Sequence, residues 1–471
     1  MASLSLPQVD FRAAAAEGAA DARLREAVRN NTLRKQEGRE ARWTELPDAQ
    51  ALRELAARIK QHTLENLDYY LRQLVDAVRR NGGVVHFAAD AEQARQIVLE
   101  IAQQTGCRRI IKSKSMATEE IELTPHLERA GLDVVETDLG EFIIQVSHDR
   151  PSHLVAPIIH KDRRSIARVF SEYFHAPYND DPPALTQQAR LFLRDKFRRS
   201  EMGITGGNFL VAQTGQVCVV ENEGNARQSL TTPRVLVSLV GIEKLVPRMS
   251  DLAVMVKLLA RSSTGQIMTV YTNIFGSPRQ NGERDGPQEF HLILLDNGRS
   301  QILGDPEYRE VLRCIRCGAC LNVCPVFRSI GGHAYNSVYP GPIGALLSPL
   351  MFGLERYKDL PQATSLCGAC GEACPVKIDI PRLLISLRRD MVNRRLSGKL
   401  ERLIYRLWAW GLQSRFLYRV IGALQRWDLR RRADADGWIA RLPKLAAGWT
   451  AQRDMPAAAR RSFHNIWKDR H

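Results

Sequence analysis

The chain has 471 residues, 44% of them hydrophobic, and a formal net charge of +15. That length allows two or three domains with proper cores, and no apolar run reaches the length of a transmembrane span. Residues 1–7 lack a basic segment followed by an apolar one, so no secretion signal is expected, and a cytoplasmic protein, on or near the inner membrane face, fits best.

Residues 1–80 read as a helical arm. Stretches 52–59 and 64–78 carry apolar residues at three- and four-residue spacing. Residues 13–16 and the Arg/Glu-rich stretch after them suit an exposed helix. The arm packs on a neighbouring domain or subunit, or is a solvated face.

Residues 81–300 alternate between strand and helix patterns. Strands are expected at 83–87, 109–112, 132–137, 209–211, 217–221, 235–240, 267–271 and 290–295, with helices at 91–104, 118–130 and 186–199. This alternation implies one α/β domain with a parallel sheet covered on both faces. Thr205, Gly206, Gly207 and Asn208 suit the lip of a pocket, with glycine amides close to an anion. Glu221, Glu223, Asn225 and Arg227 follow a strand, and ligands in open α/β sheets sit at strand carboxyl ends. An Arg there can clamp a carboxylate, and a Glu or His can take a proton. Equally, Gly206 and Gly224 can serve tight turns, and Glu221 can pair with Arg227. No G-x-G-x-x-G joins a strand to a helix, so neither NAD nor flavin is expected on this chain. His148, His153, His160 and His333 stand singly and none is read as catalytic. His333 falls in the cysteine region, where a proton can tune a reduction potential. Cys107 and Cys218 read as small buried core residues.

Residues 301–395 hold the most informative pattern. Cys314, Cys317, Cys320 and Cys324, followed by Pro325, have the spacing C-x2-C-x2-C-x3-C-P. Three such thiolates can hold three irons of a cubane, and in two-cluster proteins the fourth ligates the other cluster. An incomplete second run follows: Cys367, Cys370 and Cys374, then Pro375. The spacing assigns Cys314, Cys317, Cys320 and Cys374 to a [4Fe–4S] cluster, and Cys324, Cys367 and Cys370 to a second cluster, [4Fe–4S] or [3Fe–4S]. Thr364 stands where the fourth thiolate of the second site is due, so that corner is a hydroxyl, water or an external ligand. Gly318, Gly368 and Gly371 allow tight turns around sulfur, and Pro325 and Pro375 are expected to stop the chain re-entering helix. A disulfide framework suits a small secreted domain, and structural zinc does not explain the third Cys followed by Cys-Pro. Short helices are expected at 308–313 and 381–394. The Gly-, Pro- and Tyr-rich residues 331–349 are expected to wrap the clusters as a loop.

Residues 396–471 read as a basic, Trp-rich helical region. From residue 381 to the end, 21 Lys and Arg face 7 Asp and Glu, and the same stretch holds six of the seven tryptophans. Leu403, Leu407, Phe416, Val420 and Leu424 lie at near-helical spacing, with Arg402, Arg406, Arg415, Arg419 and Arg426 among them. Such helices lie in a membrane interface, on a partner subunit, or on the chain's own cysteine region. Nothing there resembles a nucleic-acid-binding signature.

The two cysteine runs, Tyr-Pro-Gly-Pro-Ile-Gly-Ala-Leu-Leu-Ser-Pro at 339–349, Ser-Leu-Cys-Gly-Ala-Cys at 365–370, Pro-Val-Lys-Ile at 375–378, and the segments 202–209 and 221–227 together resemble the lactate utilization protein B family. That family supplies the iron–sulfur subunit of a bacterial lactate-oxidation system. The resemblance covers the chain beyond about residue 40. It implies an α/β domain related to the CoA-transferase and ribose-phosphate-isomerase fold, then an α-helical, ferredoxin-like two-cluster domain. It also implies two partner subunits, one Cys-rich and one a stand-alone α/β domain, and the oxidation of L-lactate to pyruvate. Seven cysteines rather than eight is implied to be normal for it. The chain is then an electron-transfer subunit, with no catalytic residue assigned. The rivals are the iron–sulfur subunit of a glycolate or glycerol-3-phosphate dehydrogenase, a CoA-transferase-like enzyme with structural clusters, and a redox-sensing or assembly scaffold.

Overall fold

A computed structural model describes residues 9–451 and 453–470. Residues 1–7, read above for a secretion signal, lie outside the described residues. The chain up to Met391 forms one compact unit and the chain from Val392 a second. Among the described residues no helix is long and apolar enough to cross a membrane.

The strands of the first unit are β1 Val84–Ala88, β2 Arg109–Lys112, β3 Asp133–Glu136, β4 Met202–Thr205, β5 Phe209–Val211, β6 Gln216–Glu221, β7 Val235–Gly241, β8 Leu245–Val246, β9 Tyr271–Phe275 and β10 Glu289–Leu295. Six of them form a sheet in the order β1-β10-β7-β4-β2-β3, parallel throughout. β7 and nearly all of β10 are buried, as their unbroken apolar runs require of strands covered on both faces. On one face Ala94, Val98, Ile101 and Leu127 pack against Ile110, Met202, Val235 and Ile293. On the other, Leu74, Val78 and Leu230 pack against Leu236, Phe290 and Leu292. Gly203 has no strand propensity, which hid β4 from the sequence. Its reason is steric, since a Cβ there would lie 2.1 Å from the Ser229 carbonyl oxygen of the helix Asn225–Thr231.

The expectation of a single parallel sheet needs correcting. β8, β5, β6 and β9 form a second sheet, with β5–β6 and β6–β9 antiparallel. Only residues 212–215 join β5 to β6, too few for the crossover that parallel pairing needs. The strand expected at 267–271 instead begins at Tyr271, where pairing with Glu221 fixes its register. The helix expected at 118–130 is two, Met116–Glu120 and Leu123–Arg129, broken at Glu122 with φ 50°. The ring of Pro125 excludes a helical carbonyl at position 121.

The arm is four helices, Phe11–Ala20, Ala22–Thr44, Ala49–Glu65 and Leu67–Arg80. It packs on the cysteine region of its own chain. A Cβ on Gly18 would lie 2.4 Å from the Ile330 carbonyl oxygen, and Arg53 donates to the carbonyls of Glu372, at 2.6 Å, and Cys374, at 2.7 Å.

Two further corrections fall in the cysteine region. Pro325 does not stop a helix but opens one, Pro325–Ile330, because its fixed φ suits a first helical position. Residues 331–349 are not all loop, since Gly341–Phe352 is a helix. That helix is apolar and buried nearly all round, so it shows no amphipathic period from which to read it.

The second unit opens with helices Lys399–Gln413 and Arg415–Arg432. It is not helical throughout. Trp438–Ile439 pairs antiparallel with Met455–Pro456, and a 3-10 segment spans Lys444–Thr450. Gly437, Pro443 and Pro456 break the later helical pattern. No residue of Arg415–Arg432 is buried, and Leu403, Trp408, Phe416, Leu424 and Trp427 are exposed.

Candidate metal centre and adjoining cavity

The cysteine runs build the same turn twice. Arg316 and Gly318 have φ of 60° and 75°, and Leu366 and Gly368, each fifty places on, have 54° and 87°. Glycine relieves the strain of the second position in each turn. A short helix follows each, Ala319–Asn322 and Ala369–Ala373. In the first turn the Arg316 amide donates to Cys314 Sγ at 3.4 Å. In the second the Leu366 amide donates to Thr364 Oγ1 at 3.0 Å. Thr364 thus takes the same hydrogen bond as its counterpart cysteine.

Cys314, Cys317, Cys320 and Cys374 line one cavity, walled by Leu154, Ile343, Val376 and Ile378. Cys324 and Cys370 lie within electrostatic reach of each other and of Cys367, and Cys370 is also near Cys320. Amides serve the sulfurs: Ala319 donates to Cys317, Phe327 to Cys324, and Ile378 to Cys374. Burial pushes the Cys317 and Cys370 thiols up to about 12 and Cys374 to about 11. Iron binding must therefore displace protons from a dry site. Soft thiolates gathered in this way suit iron–sulfur clusters. One further observation fits them. Tyr335 is buried beside Cys324 and Cys320, and its hydroxyl has no hydrogen-bond partner among the described residues. A buried phenol in that state lacks an acceptor, and a cluster sulfide or thiolate supplies one. Cys107 and Cys218 are buried away from these runs, in the α/β part.

A second cavity, of about 330 Å³, opens at the carboxyl ends of the parallel strands, where open α/β sheets hold ligands. Of the residues expected there, Gly206, Gly207, Asn208, Glu221, Glu223 and Asn225 line it. Thr205 does not, being buried with its hydroxyl bonded to Ser113. Arg227 is also absent from it, with its guanidinium over the Tyr271 ring. Glu221 accepts from the backbone amides of Ala226 and Arg227, so it caps a helix rather than pairing with the Arg227 side chain. Glu223 accepts from the Leu139 amide at 3.1 Å, and burial together with neighbouring Asp138 pushes its carboxyl up to about 7. Asp138 is likewise raised, first by burial.

The cations of this cavity were missed in the sequence. Lys35 comes from the arm, Lys114 follows β2, Lys244 follows β7, and Arg316 lies inside the first cysteine run. Lys112-Ser-Lys-Ser115, a polar run closing a buried strand, was the one available signal. Lys114 pairs with Glu141 at 3.2 Å. Arg299 bridges Glu120 at 2.8 Å and Glu243 at 2.5 Å, and Arg316 joins Glu243 at 3.3 Å. Burial favours a neutral Glu243, but Arg299 and Arg316 outweigh it and hold the carboxyl down at about 2.

Among the histidines, His153 rather than His333 adjoins a cluster turn. Its ring lies 3.2 Å from where a Cβ of Gly318 would be, and burial pushes it down to about 3, so it is neutral. His333 binds the Arg150 carbonyl at 2.8 Å and packs against the His160 ring. Asp149, His160 and His333 come within metal-ligand distance of one another, but Lys161 already sits on Asp149 at 2.6 Å.

A family model described as a 4Fe-4S dicluster domain matches residues 310–378, which contain both cysteine runs. A LUD domain model matches 71–295, and one described as lactate utilisation protein B, C-terminal, matches 393–471. Lactate utilization protein B of Bacillus cytotoxicus is 44% identical over 468 residues, covering 99% of this chain and 98% of its own. Its namesakes in Bacillus thuringiensis and Bacillus cereus are 43% identical over the same shares. These alignments also take in the first forty residues, beyond the span of the motifs. A solved DUF162 family protein from Deinococcus radiodurans is 12% identical and covers 49% of this chain and 98% of its own, with a TM-score of 0.29, too low to speak to the fold. The chain belongs to the lactate utilization protein B family and carries a LUD domain and a 4Fe–4S dicluster domain.

Proposed function

We propose that this chain is the iron–sulfur electron-transfer subunit of an assembly that oxidises L-lactate to pyruvate and so supports growth on lactate. The observation that carries this reading is the meeting of Cys314, Cys317 and Cys320 with Cys374 in one cavity, with Cys324, Cys367 and Cys370 grouped beside it. In this reading the first four hold a [4Fe–4S] cluster. The other three hold a [4Fe–4S] or [3Fe–4S] cluster, with Thr364 at its open corner. Such clusters, when bound, take electrons one at a time from a two-electron oxidation. The chain's residues set the conditions. Arg39 places positive charge near Cys317 and Cys374, and Arg53 near Cys374. Backbone amides donate to the sulfurs. Both effects favour the reduced, more negative state.

The names of the relatives support the lactate role. Two partner subunits complete the assembly in this reading, one Cys-rich and one a stand-alone α/β domain, and the fold of the LUD domain is of the CoA-transferase and ribose-phosphate-isomerase kind. The basic helices Lys399–Gln413 and Arg415–Arg432, with exposed Trp and Leu side chains, suit the anionic inner face of a membrane, with the chain in the cytoplasm.

The test uses anaerobically purified chain with its iron in place. L-lactate and an artificial acceptor give no turnover with the chain alone. Adding both partner subunits gives turnover, which Cys317→Ser and Cys370→Ser each abolish. Turnover by the chain alone overturns the relay reading and places the chemistry in the LUD-domain cavity, with Glu223 and Asp138 the first residues to test.

A further inference from the structure

The strand-end cavity is lined by groups of both charges. Its cations include Lys35, Lys244 and Arg316. Neither Lys35 nor Lys244 has a hydrogen-bond or ion-pair partner among the described residues. Arg316 is only 9% exposed and lies over the Tyr339 ring, and its Nη1 has no hydrogen-bond partner among the described residues although Nη2 reaches Glu243. A buried cationic donor left unpaired is costly, and an entering anion relieves that cost. Asp138 and Glu223 line the same cavity, with Lys114 beside them, as do Glu221 and Glu243, which are held by a helix cap and by Arg299. A ligand with negative charge at both ends is repelled there. A ligand with one anionic end and one neutral hydrogen-bonding end satisfies both the cations and the carboxyls.

The position of the cavity adds a second fact. Leu154 lines both this cavity and the one holding Cys314, Cys317, Cys320 and Cys374. Arg316 lies between Cys314 and Cys317 in the chain and faces the strand-end cavity. The two spaces thus share a lining side chain. The volume of about 330 Å³ falls at the small end of the range for small-molecule pockets, roughly 300–1,000 Å³.

We propose that this cavity binds a small 2-hydroxy or 2-oxo monocarboxylate, with its carboxylate on Lys35, Lys244 and Arg316 and its C2 oxygen toward Asp138 and Glu223. This deepens the lactate reading above and rests on it for the ligand's identity. The lining itself calls only for a small anion with a polar neighbour.

The test is calorimetric titration of the anaerobic, iron-loaded chain with L-lactate, pyruvate, acetate and inorganic phosphate. Pyruvate or L-lactate binds one to one, and acetate, lacking the C2 oxygen, binds at least tenfold more weakly. Lys244→Met weakens binding at least tenfold while iron content and visible spectrum stay unchanged. Should that variant lose iron, Lys35→Met, on the arm helix, is read instead and shows the same loss. The EPR signal of the reduced chain shifts when the carboxylate binds. No binding of either acid at millimolar concentration, tighter binding of phosphate, or full affinity in the Lys variants overturns the proposal. Cluster reduction by lactate in the complete assembly, without carboxylate binding to this chain, sinks this site alone. Binding without cluster reduction sinks the relay and leaves the site standing.

Discussion

At residue 314 the first cysteine turn presents a thiol, and at residue 364 the second presents a hydroxyl. Both accept the amide two residues on, from Arg316 and Leu366 respectively. The surroundings differ as well. Cys317 and Cys320 are buried, and Cys374 joins them from the other run. Cys367 is exposed. Arg39 and Arg53 reach the carbonyls of Ala373 and Cys374, at the junction with the first site. A repeated backbone thus carries two unequal cysteine groups, one largely buried beside two arginines, the other with Cys367 exposed.

The largest expected effect tests the exchange of ligands between runs. Cys374→Ser removes about half of an iron content of roughly seven to eight, and the EPR loss maps to the site of Cys314, Cys317 and Cys320. Loss at the Cys367 and Cys370 site instead breaks the pairing. Next in size is air sensitivity. Exposure of Cys367 makes the second site lose iron first in air, so the EPR signals decay in order; simultaneous decay removes the distinction in exposure. Thr364→Cys completes the second site and lowers its potential, since a thiolate adds negative charge, while the first site is unchanged. Unaltered spectra show that residue 364 does not face the open corner. Arg53→Leu lowers the potential of the first site only. The shift is on the order of tens of millivolts for one charge at an effective dielectric constant of about 20.

The smallest effect separates the sulfur sites from the cavity. The Glu223 carboxyl is raised, so it is neutral below about 7 and charged above, facing Asp138, Glu221 and Lys114. Anion affinity therefore falls severalfold from pH 6 to pH 8, and Glu223→Gln flattens that fall without changing either EPR signal. The same sign applies to stability. Ionising a carboxyl whose folded value is raised costs folding free energy as pH rises from its ordinary range through about 7, so Glu223→Gln gains stability over wild type at pH 8.

The two matching cysteine turns were legible in the spacing, because the backbone of each turn is local. The parallel sheet was legible for the same reason, from apolar runs such as Val235–Gly241. What was lost depends on contacts far apart in the chain. Lys35 lies on the arm, yet it lines the same cavity as Lys244 and Arg316. Arg316 looked like filler between two ligands. The helix Gly341–Phe352 is buried nearly all round, and β4 is interrupted by a glycine that a neighbouring helix demands. The β5–β6 hairpin was readable from its short connection.

The electron path is tested most directly by freeze-quench EPR of this chain mixed with its two partner subunits and L-lactate under anaerobic conditions. Reduced-cluster signals are expected within a single turnover, sensitive to Cys317→Ser and Cys370→Ser and absent without the partners. Pyruvate formed while both sites on this chain stay oxidised would contradict the relay.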